Sequence, residues 1–221
     1  ILEGVCLNFE PGKTYAIVGE NGSGKSTLIN LITGLLVPSR GNVFFDGINI
    51  HNNLEQFRSH IGYVPQDTML LNESIESNIT FCRNAVSEHA LEEVLHICEV
   101  DVIMKTNSMS IDTVIGEKGN KLSGGQKQKI ALSRALYRKP KLLIIDEGTS
   151  NIDSDTEERI LKRVKSVYPD MTIIIVSHRL STVRKADRII VLDKSQVAEN
   201  GEYAQLLDNG TVFRKIFANQ I

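Results

Sequence analysis

A chain of 221 residues, 41% hydrophobic and 24% charged, is long enough to bury a full core, and its make-up excludes a disordered or fibrous chain. Its net charge of −2 gives no electrostatic reason to expect nucleic acid as a partner. Apolar runs last only a few residues, so no stretch has the length of a bilayer span and no signal peptide is visible; without Met at its start, the chain reads as an excised piece.

Three cysteines, Cys6, Cys82 and Cys98, are odd in number and far apart, without metal-ligand spacing. They are expected to be small buried apolar side chains in a reducing compartment.

In chain order, Val5, Leu7 and Phe9 alternate with their neighbours, which predicts a half-buried strand. Pro11-Gly12 turns it toward a short buried strand, Tyr15-Ala16-Ile17-Val18. Next comes Gly19-Glu20-Asn21-Gly22-Ser23-Gly24-Lys25-Ser26-Thr27, which fits G-x-x-x-x-G-K-[ST], the phosphate-binding loop. Its glycines permit dihedrals that a Cβ forbids, so successive N–H groups can converge on one anion at the positive end of a helix. Lys25 adds a full charge for the terminal phosphates, and the Ser26 hydroxyl is a ligand for Mg²⁺. A strand before the loop and the apolar helix Leu28-Ile29-Asn30-Leu31-Ile32 after it supply the context that a chance glycine-rich turn lacks. This pattern predicts a nucleoside triphosphate site.

Gly34 is placed as the C-cap of that helix, and Pro38 prevents its resumption. Val43-Phe44-Phe45 followed by Asp46-Gly47 predicts a strand and tight turn in a small antiparallel sheet. Ile61-Gly62-Tyr63-Val64 is another strand, stopped by Pro65; Gln66 after it is, by itself, an ordinary loop residue.

Over residues 69–138 the strand signals vanish, which predicts a mostly helical lobe inserted into an α/β core. Leu91, Val94, Leu95 and Cys98 form one helical stripe that Ser87 can cap, and Met69, Met104 and Met109 are filler. Leu122-Ser123-Gly124-Gly125-Gln126 opens a helix through Ile130, Leu132 and Leu136. Ser123 can cap it, and the glycines leave its N-terminus open to an anion. Lys127, Lys129 and Arg134 are expected to form a solvated basic face.

Leu142-Leu143-Ile144-Ile145 predicts a strand buried on both faces that delivers Asp146 and Glu147 to its C-terminal end. Adjacent carboxylates there are costly unless a cation or an attacking water uses them, so Asp146 is the expected Mg²⁺ partner and Glu147 the group that polarises water. Ser154 with Glu157 matches a capping box, before a stripe of Ile160, Leu161, Val164 and Val167. Residues 172–177 predict a buried strand that ends at His178. Strands at 188–193 and 196–199 and helices near 204–207 and 212–217 complete the chain.

Phosphate loop, Gln66, residues 122–126, Asp146-Glu147 and His178 follow one another in the order and approximate spacing of one family. Over essentially its whole length the chain resembles the nucleotide-binding domain of an ATP-binding cassette (ABC) transporter. Residues 122–126 are similar to the family's signature motif, 142–146 to its Walker B strand, and Ser150-Asn151-Ile152-Asp153 to its D-loop. The stretch Thr113-Val114-Ile115-Gly116-Glu117-Lys118-Gly119 is similar to exporter-type domains, as is His178-Arg179-Leu180-Ser181-Thr182-Val183 running on to Ala186-Asp187-Arg188-Ile189.

The resemblance implies an α/β fold: a P-loop NTPase core with a mainly parallel sheet (about 1–68 and 139–221), a small antiparallel β subdomain, and an inserted α-helical subdomain (about 69–138). It implies ATP and Mg²⁺ as ligands and the catalytic set Glu147, His178, Lys25 and Gln66. Nucleotide would be held by Gly19, Glu20, Asn21, Gly22, Ser23, Gly24, Lys25, Ser26 and Thr27, and metal by Ser26, Gln66 and Asp146. Ser123, Gly124, Gly125 and Gln126 would touch the nucleotide of a second copy in a head-to-tail dimer. Gln66 would link Mg²⁺ and water to the helical lobe, and His178 would sense the γ-phosphate. ATP hydrolysis would then drive export through a transmembrane partner domain, from the cytoplasmic face of a membrane. Two features depart from the pattern: Asn151 stands where many relatives have Ala, and the aromatic that stacks on adenine would lie upstream of Ile1. Rival classes are a soluble ABC ATPase of DNA repair or chromosome structure and a nucleotide-sensing module. The first carries a long coiled coil where this chain has a compact lobe, and intact Glu147 and His178 speak against the second.

Overall fold

The computed structural model describes residues 2–81 and 86–220. The chain begins with β1 (Thr14–Gly19), α1 (Lys25–Ile32), β2 (Phe44–Phe45), β3 (Ile48–Asn49), α2 (Leu54–Ser59) and β4 (Ile61–Val64). It continues through α3 (Ile75–Thr80), α4 (Glu88–Ile97), α5 (Val100–Thr106), α6 (Gly124–Leu136), β5 (Leu142–Asp146) and α7 (Ser154–Val167). It closes with β6 (Thr172–Val176), α8 (Leu180–Val183), β7 (Arg188–Asp193), β8 (Gln196–Gly201), α9 (Tyr203–Asn209) and α10 (Thr211–Ile216). Residues 1–61 with 172–221 form one compact unit, and residues 62–171 a second.

In the first unit the strands run in the order β6-β1-β7-β8. β1 pairs in parallel with β6 (Tyr15 opposite Ile174) and with β7 (Ala16 opposite Ile189), and β8 closes the edge antiparallel to β7. Every residue of β1 and β6 is buried, as their unbroken apolar runs require of strands covered on both faces. Phe213 and Phe217 lie in the core with Val18, Leu180, Val183 and Val191, so the C-terminal helix completes this unit. The 44–49 hairpin forms as read. Asp46 and Gly47 both have positive φ (49° and 77°), the pair of dihedrals that a two-residue type I′ turn demands. Gly34, at φ 67°, ends α1 with its N–H on the Leu31 carbonyl.

Two expectations fail in this unit. Val5, Leu7 and Phe9 are half-buried in alternation but form no strand; the segment is tied instead by Glu3 N–H to Ser195 O (3.1 Å) and by Phe9 edge-on to Tyr15. Alternation reports one covered face; a strand also needs a ladder partner. Cys6 is exposed, not buried, whereas Cys98 is buried with its thiol pushed up to about 12 by burial; Cys82 lies outside the described residues.

In the second unit β4 neighbours β5, and helices form the remainder. Ser87 caps α4 by accepting the Ala90 N–H, with Leu91, Val94 and Leu95 buried as the stripe predicts. Lys129 and Arg134 do not form a solvated face. Lys129 Nζ donates to Glu99 at 3.0 Å, and Arg134 donates to Asn78 O (2.7 Å), Asn78 Oδ1 (3.0 Å) and Met69 O (2.9 Å). Glu99 and Asn78 are themselves buried, and buried polar groups draw their partners inward from other elements. The cap of α7 is Asp153, whose side chain accepts from Thr156 N–H, not the predicted Ser154. Glu157 is 4% exposed and bonds to the Thr149 hydroxyl, so it is unavailable for a capping box.

Candidate active site

The phosphate loop connects a fully buried strand to an amphipathic helix, so its position is fixed at both ends. Gly22 and Gly24 have φ of 81° and 107°, a region that L side chains rarely adopt. At Gly19 a Cβ would collide with Ser23 Oγ and stand 2.5 Å from the Leu192 carbonyl. α1 opens without a side-chain cap and without an acidic residue in its first turn, so nothing competes for an anion at its positive end. Lys25 Nζ lies back over the loop, donating to Gly19 O (2.8 Å) and Glu20 O (3.1 Å). Ser23 Oγ is buried and has no hydrogen-bond partner among the described residues. An orphaned hydroxyl costs free energy until a group with spare lone pairs arrives, and a phosphate oxygen fits that need. The loop therefore suits a phosphate group on its own geometry.

His178, exposed, follows β6 in the same unit. Its turn is held from both sides. Arg179 N–H donates to Ser177 Oγ (3.1 Å), Leu180 N–H to Gln220 Oε1 (2.9 Å), and Gln220 Nε2 to the His178 carbonyl (3.1 Å). A glutamine forty residues away in sequence has no local signal that assigns it to this turn.

In the second unit, β4 and β5 bring four functional-type side chains together. Gln66 Nε2 donates to Glu147 Oε2 at 2.9 Å, which leaves the Gln66 carbonyl oxygen as the atom it can offer to a cation. Tyr63 Oη donates to Asp146 Oδ2 at 3.1 Å. Burial first, then the Asp146 charge and this bond, push the Tyr63 phenol up to about 12, so it stays a donor. No sequence pattern marks Tyr63; its contact with Asp146 emerges only once β4 lies beside β5.

Glu147 has φ 51°, left-handed for a non-glycine residue, a conformation that costs roughly 1–3 kcal/mol and recurs at working sites. Gly148 explains how the turn is held: a Cβ there would meet Val64 O at 2.9 Å, so the chain after Glu147 passes close beneath β4. Within this unit Asp146 offers a carboxylate and Gln66 an amide oxygen, hard donors of the kind that Mg²⁺ accepts beside waters and phosphate oxygens. Among the described residues no group of three His, Cys, Asp or Glu side chains could hold a metal ion alone.

At the start of α6, Ser123 Oγ accepts from Gln126 N–H (3.3 Å) while Gln126 Oε1 accepts from Ser123 N–H (2.9 Å), a reciprocal capping box. Gly125 has an intrachain reason to lack a side chain, since a Cβ would stand 2.7 Å from Asn151 O.

The family model described as ABC transporter matches residues 2–150. The chain belongs to the ABC transporter family. It is 40% identical over 223 residues to the mitochondrial iron-sulfur clusters transporter ABCB7 of Danio rerio, covering 100% of this chain and 30% of that protein. It is 36% identical over 220 residues to the ATP-dependent lipid A-core flippase of Chromobacterium violaceum, covering 99% of this chain and 38% of that one. A bacterial Atm1-family ABC exporter with ATP bound superposes with a TM-score of 0.93 at 35% identity, over 100% of this chain and 39% of that one. The chain thus spans 30–38% of the length of these two curated relatives. The expected fold class, a P-loop α/β core with a small antiparallel sheet and a helical insertion, is that of the exporter's matching part.

Proposed function

We propose that this chain is an ATP-binding and ATP-hydrolysing domain that pairs head-to-tail with a second copy around two ATP-Mg²⁺ and powers export through transmembrane segments. The buried, unpartnered Ser23 hydroxyl inside an anion-ready loop is the observation that carries the nucleotide reading. Lys25 holds the terminal phosphates, and residues 19–27 wrap the chain of phosphates with their N–H groups. Ser26, Asp146 and the Gln66 carbonyl would hold Mg²⁺, which neutralises developing charge on the phosphate oxygens. Glu147 accepts a proton from the attacking water, and Gln66 fixes which carboxylate oxygen is turned to it. His178 faces the γ-phosphate, and Ser123, Gly124, Gly125 and Gln126 contribute to the partner's nucleotide. Functionally we divide the chain into a core of about 1–68 and 139–221 and a helical subdomain of about 69–138, with the whole working at the cytoplasmic face of a membrane. The chain's similarity to a transporter and a flippase supports the export reading.

A mixing experiment tests it. Lys25→Ala and Ser123→Arg variants should each lack ATPase activity, and together should regain part of it, because one of the two sites in a mixed dimer is built from intact halves. No recovery in proven mixed dimers would show that Ser123 acts within its own chain.

A further inference from the structure

Gln128 lies on α6, little more than one turn beyond Ser123, and is only 2% exposed. An amide at a core position is costly unless both its ends are bonded. Here Nε2 donates to Ser150 Oγ at 3.2 Å, and Oε1 accepts the Asn151 N–H at 2.8 Å. Both ends are spent on two successive residues of the exposed turn that follows Glu147. The glycines before it serve the same contact: a Cβ on Gly125 would stand 2.7 Å from Asn151 O, and one on Gly124 would stand 3.2 Å from Asn151 Cγ. The turn itself is braced by Ser150 N–H on Glu147 O (3.0 Å) and Ile152 N–H on Thr149 O (2.9 Å), so a shift at 150–151 is passed to Glu147.

We propose that Gln128 is a positioning residue that fastens the 150–151 turn to the Ser123 end of α6. The surface offered to a partner's nucleotide and the backbone that carries Glu147 then keep one registration. Leu or Met would fill the same volume but leave the turn unfastened. The inference rests on the ATPase reading above, and it adds a coupling between two segments that the reading treats separately.

The test uses the full-length protein that carries this domain, with Gln128→Leu, Gln128→Glu, Ser150→Ala and the Gln128→Leu/Ser150→Ala pair. Misplacing a catalytic group by about 1 Å can cost 10²-fold, so Gln128→Leu should lower kcat about 10-fold or more while KM for ATP stays within about twofold. Gln128→Glu, whose buried carboxyl is held neutral by desolvation, keeps an acceptor for the Asn151 N–H and a donor for Ser150 Oγ, and should recover most of the rate. The pair should be no slower than Gln128→Leu alone, since both changes break one linkage. If Gln128→Leu does not fold, Ser150→Ala, on an exposed residue, decides alone: kcat should fall severalfold with KM for ATP unchanged, while the melting temperature drops only by the cost of leaving the Gln128 Nε2 without its acceptor. Unchanged kcat in Ser150→Ala, multiplicative losses in the pair, or no rescue by Gln128→Glu would overturn the proposal while leaving an active parent. An unsubstituted protein without ATP turnover would overturn the ATPase reading, and this inference with it.

Discussion

Glu99 carries a cluster of charges in the second unit, and replacing it tests the packing of the helices there. Its carboxylate, 10% exposed, meets Lys129 Nζ at 3.0 Å, Arg159 Nε at 3.1 Å and Arg163 Nη1 at 3.5 Å. These partners lie on two other helices, α6 and α7, so one side chain ties three elements. Glu99→Gln keeps the volume and the left-handed backbone of residue 99 (φ 58°) while removing the charge. Breaking a buried pair costs about 3–5 kcal/mol, but Arg159 and Arg163 are 52% and 38% exposed and can turn to water. Discounting for that screening leaves about 2–3 kcal/mol, or about 4–12 °C in melting temperature for a chain of this size. Burial pushes the Glu99 carboxyl up, but the bonds to Arg159 and Lys129 outweigh it and hold the group below the usual carboxylate range. A folded value below the unfolded value means stability that is fully present above the unfolded value, about 4.3, and lost as pH falls through the folded one. The gap in melting temperature between parent and variant should therefore be full at pH 7 and narrow steadily on acidification below about 4.3. Calorimetric melts from pH 7 to 3 measure it. A gap under 2 °C at neutral pH, or one that widens in acid, would refute the ion-cluster reasoning.

Lys25→Ala should weaken ATP about 10- to 150-fold by titration calorimetry, the worth of a charge-assisted hydrogen bond of about 1.5–3 kcal/mol; unchanged affinity contradicts the loop assignment. Gly148→Ala should lower stability by about 1–3 kcal/mol and slow turnover together, because its Cβ would press on the Val64 backbone beneath Glu147. Full activity in that variant would mean the turn has room that the geometry denies. By ¹³C NMR the Tyr63 phenol should stay protonated past pH 10.5, with a midpoint near 12, and Asp146→Asn should lower that midpoint only in part, because burial, the larger cause, remains. Ionisation near 10 in the parent would remove the Tyr63–Asp146 contact from the account.

What the sequence made legible were features whose signal is local. The phosphate loop is contiguous, the Asp46-Gly47 turn declares its type in two residues, and Ser87 and Ser123 cap helices from three residues away. What it hid were partners supplied by distant segments. Tyr63 meets Asp146 across 83 positions, Gln220 meets His178 across 42, and Arg134 meets Asn78 across 56; no periodicity marks such pairs. Asp153 displaced Ser154 as the α7 cap for a related reason. Glu157, the expected third member of that box, is drawn into the interior by Thr149, and only the tertiary structure decides between two adjacent capping side chains. The same holds for Val5, Leu7 and Phe9, whose alternation correctly marks a covered face but not the missing ladder partner.

Glu147, as the group that takes the proton from water, is the centre of the proposed mechanism, and Glu147→Gln tests it most directly. The amide keeps the shape, the left-handed backbone and an oxygen for the Gln66 bond, so ATP affinity should stay within about threefold while the loss of a general base removes about 10²–10⁴-fold of the rate. Single-turnover phosphate release, measured beside ATP binding on the same preparation, should show nucleotide bound and unhydrolysed, with a dimer accumulating in ATP-Mg²⁺ on size-exclusion chromatography. Phosphate release at the parent rate, with ATP bound as before, would contradict the role of Glu147 and the mechanism built on it.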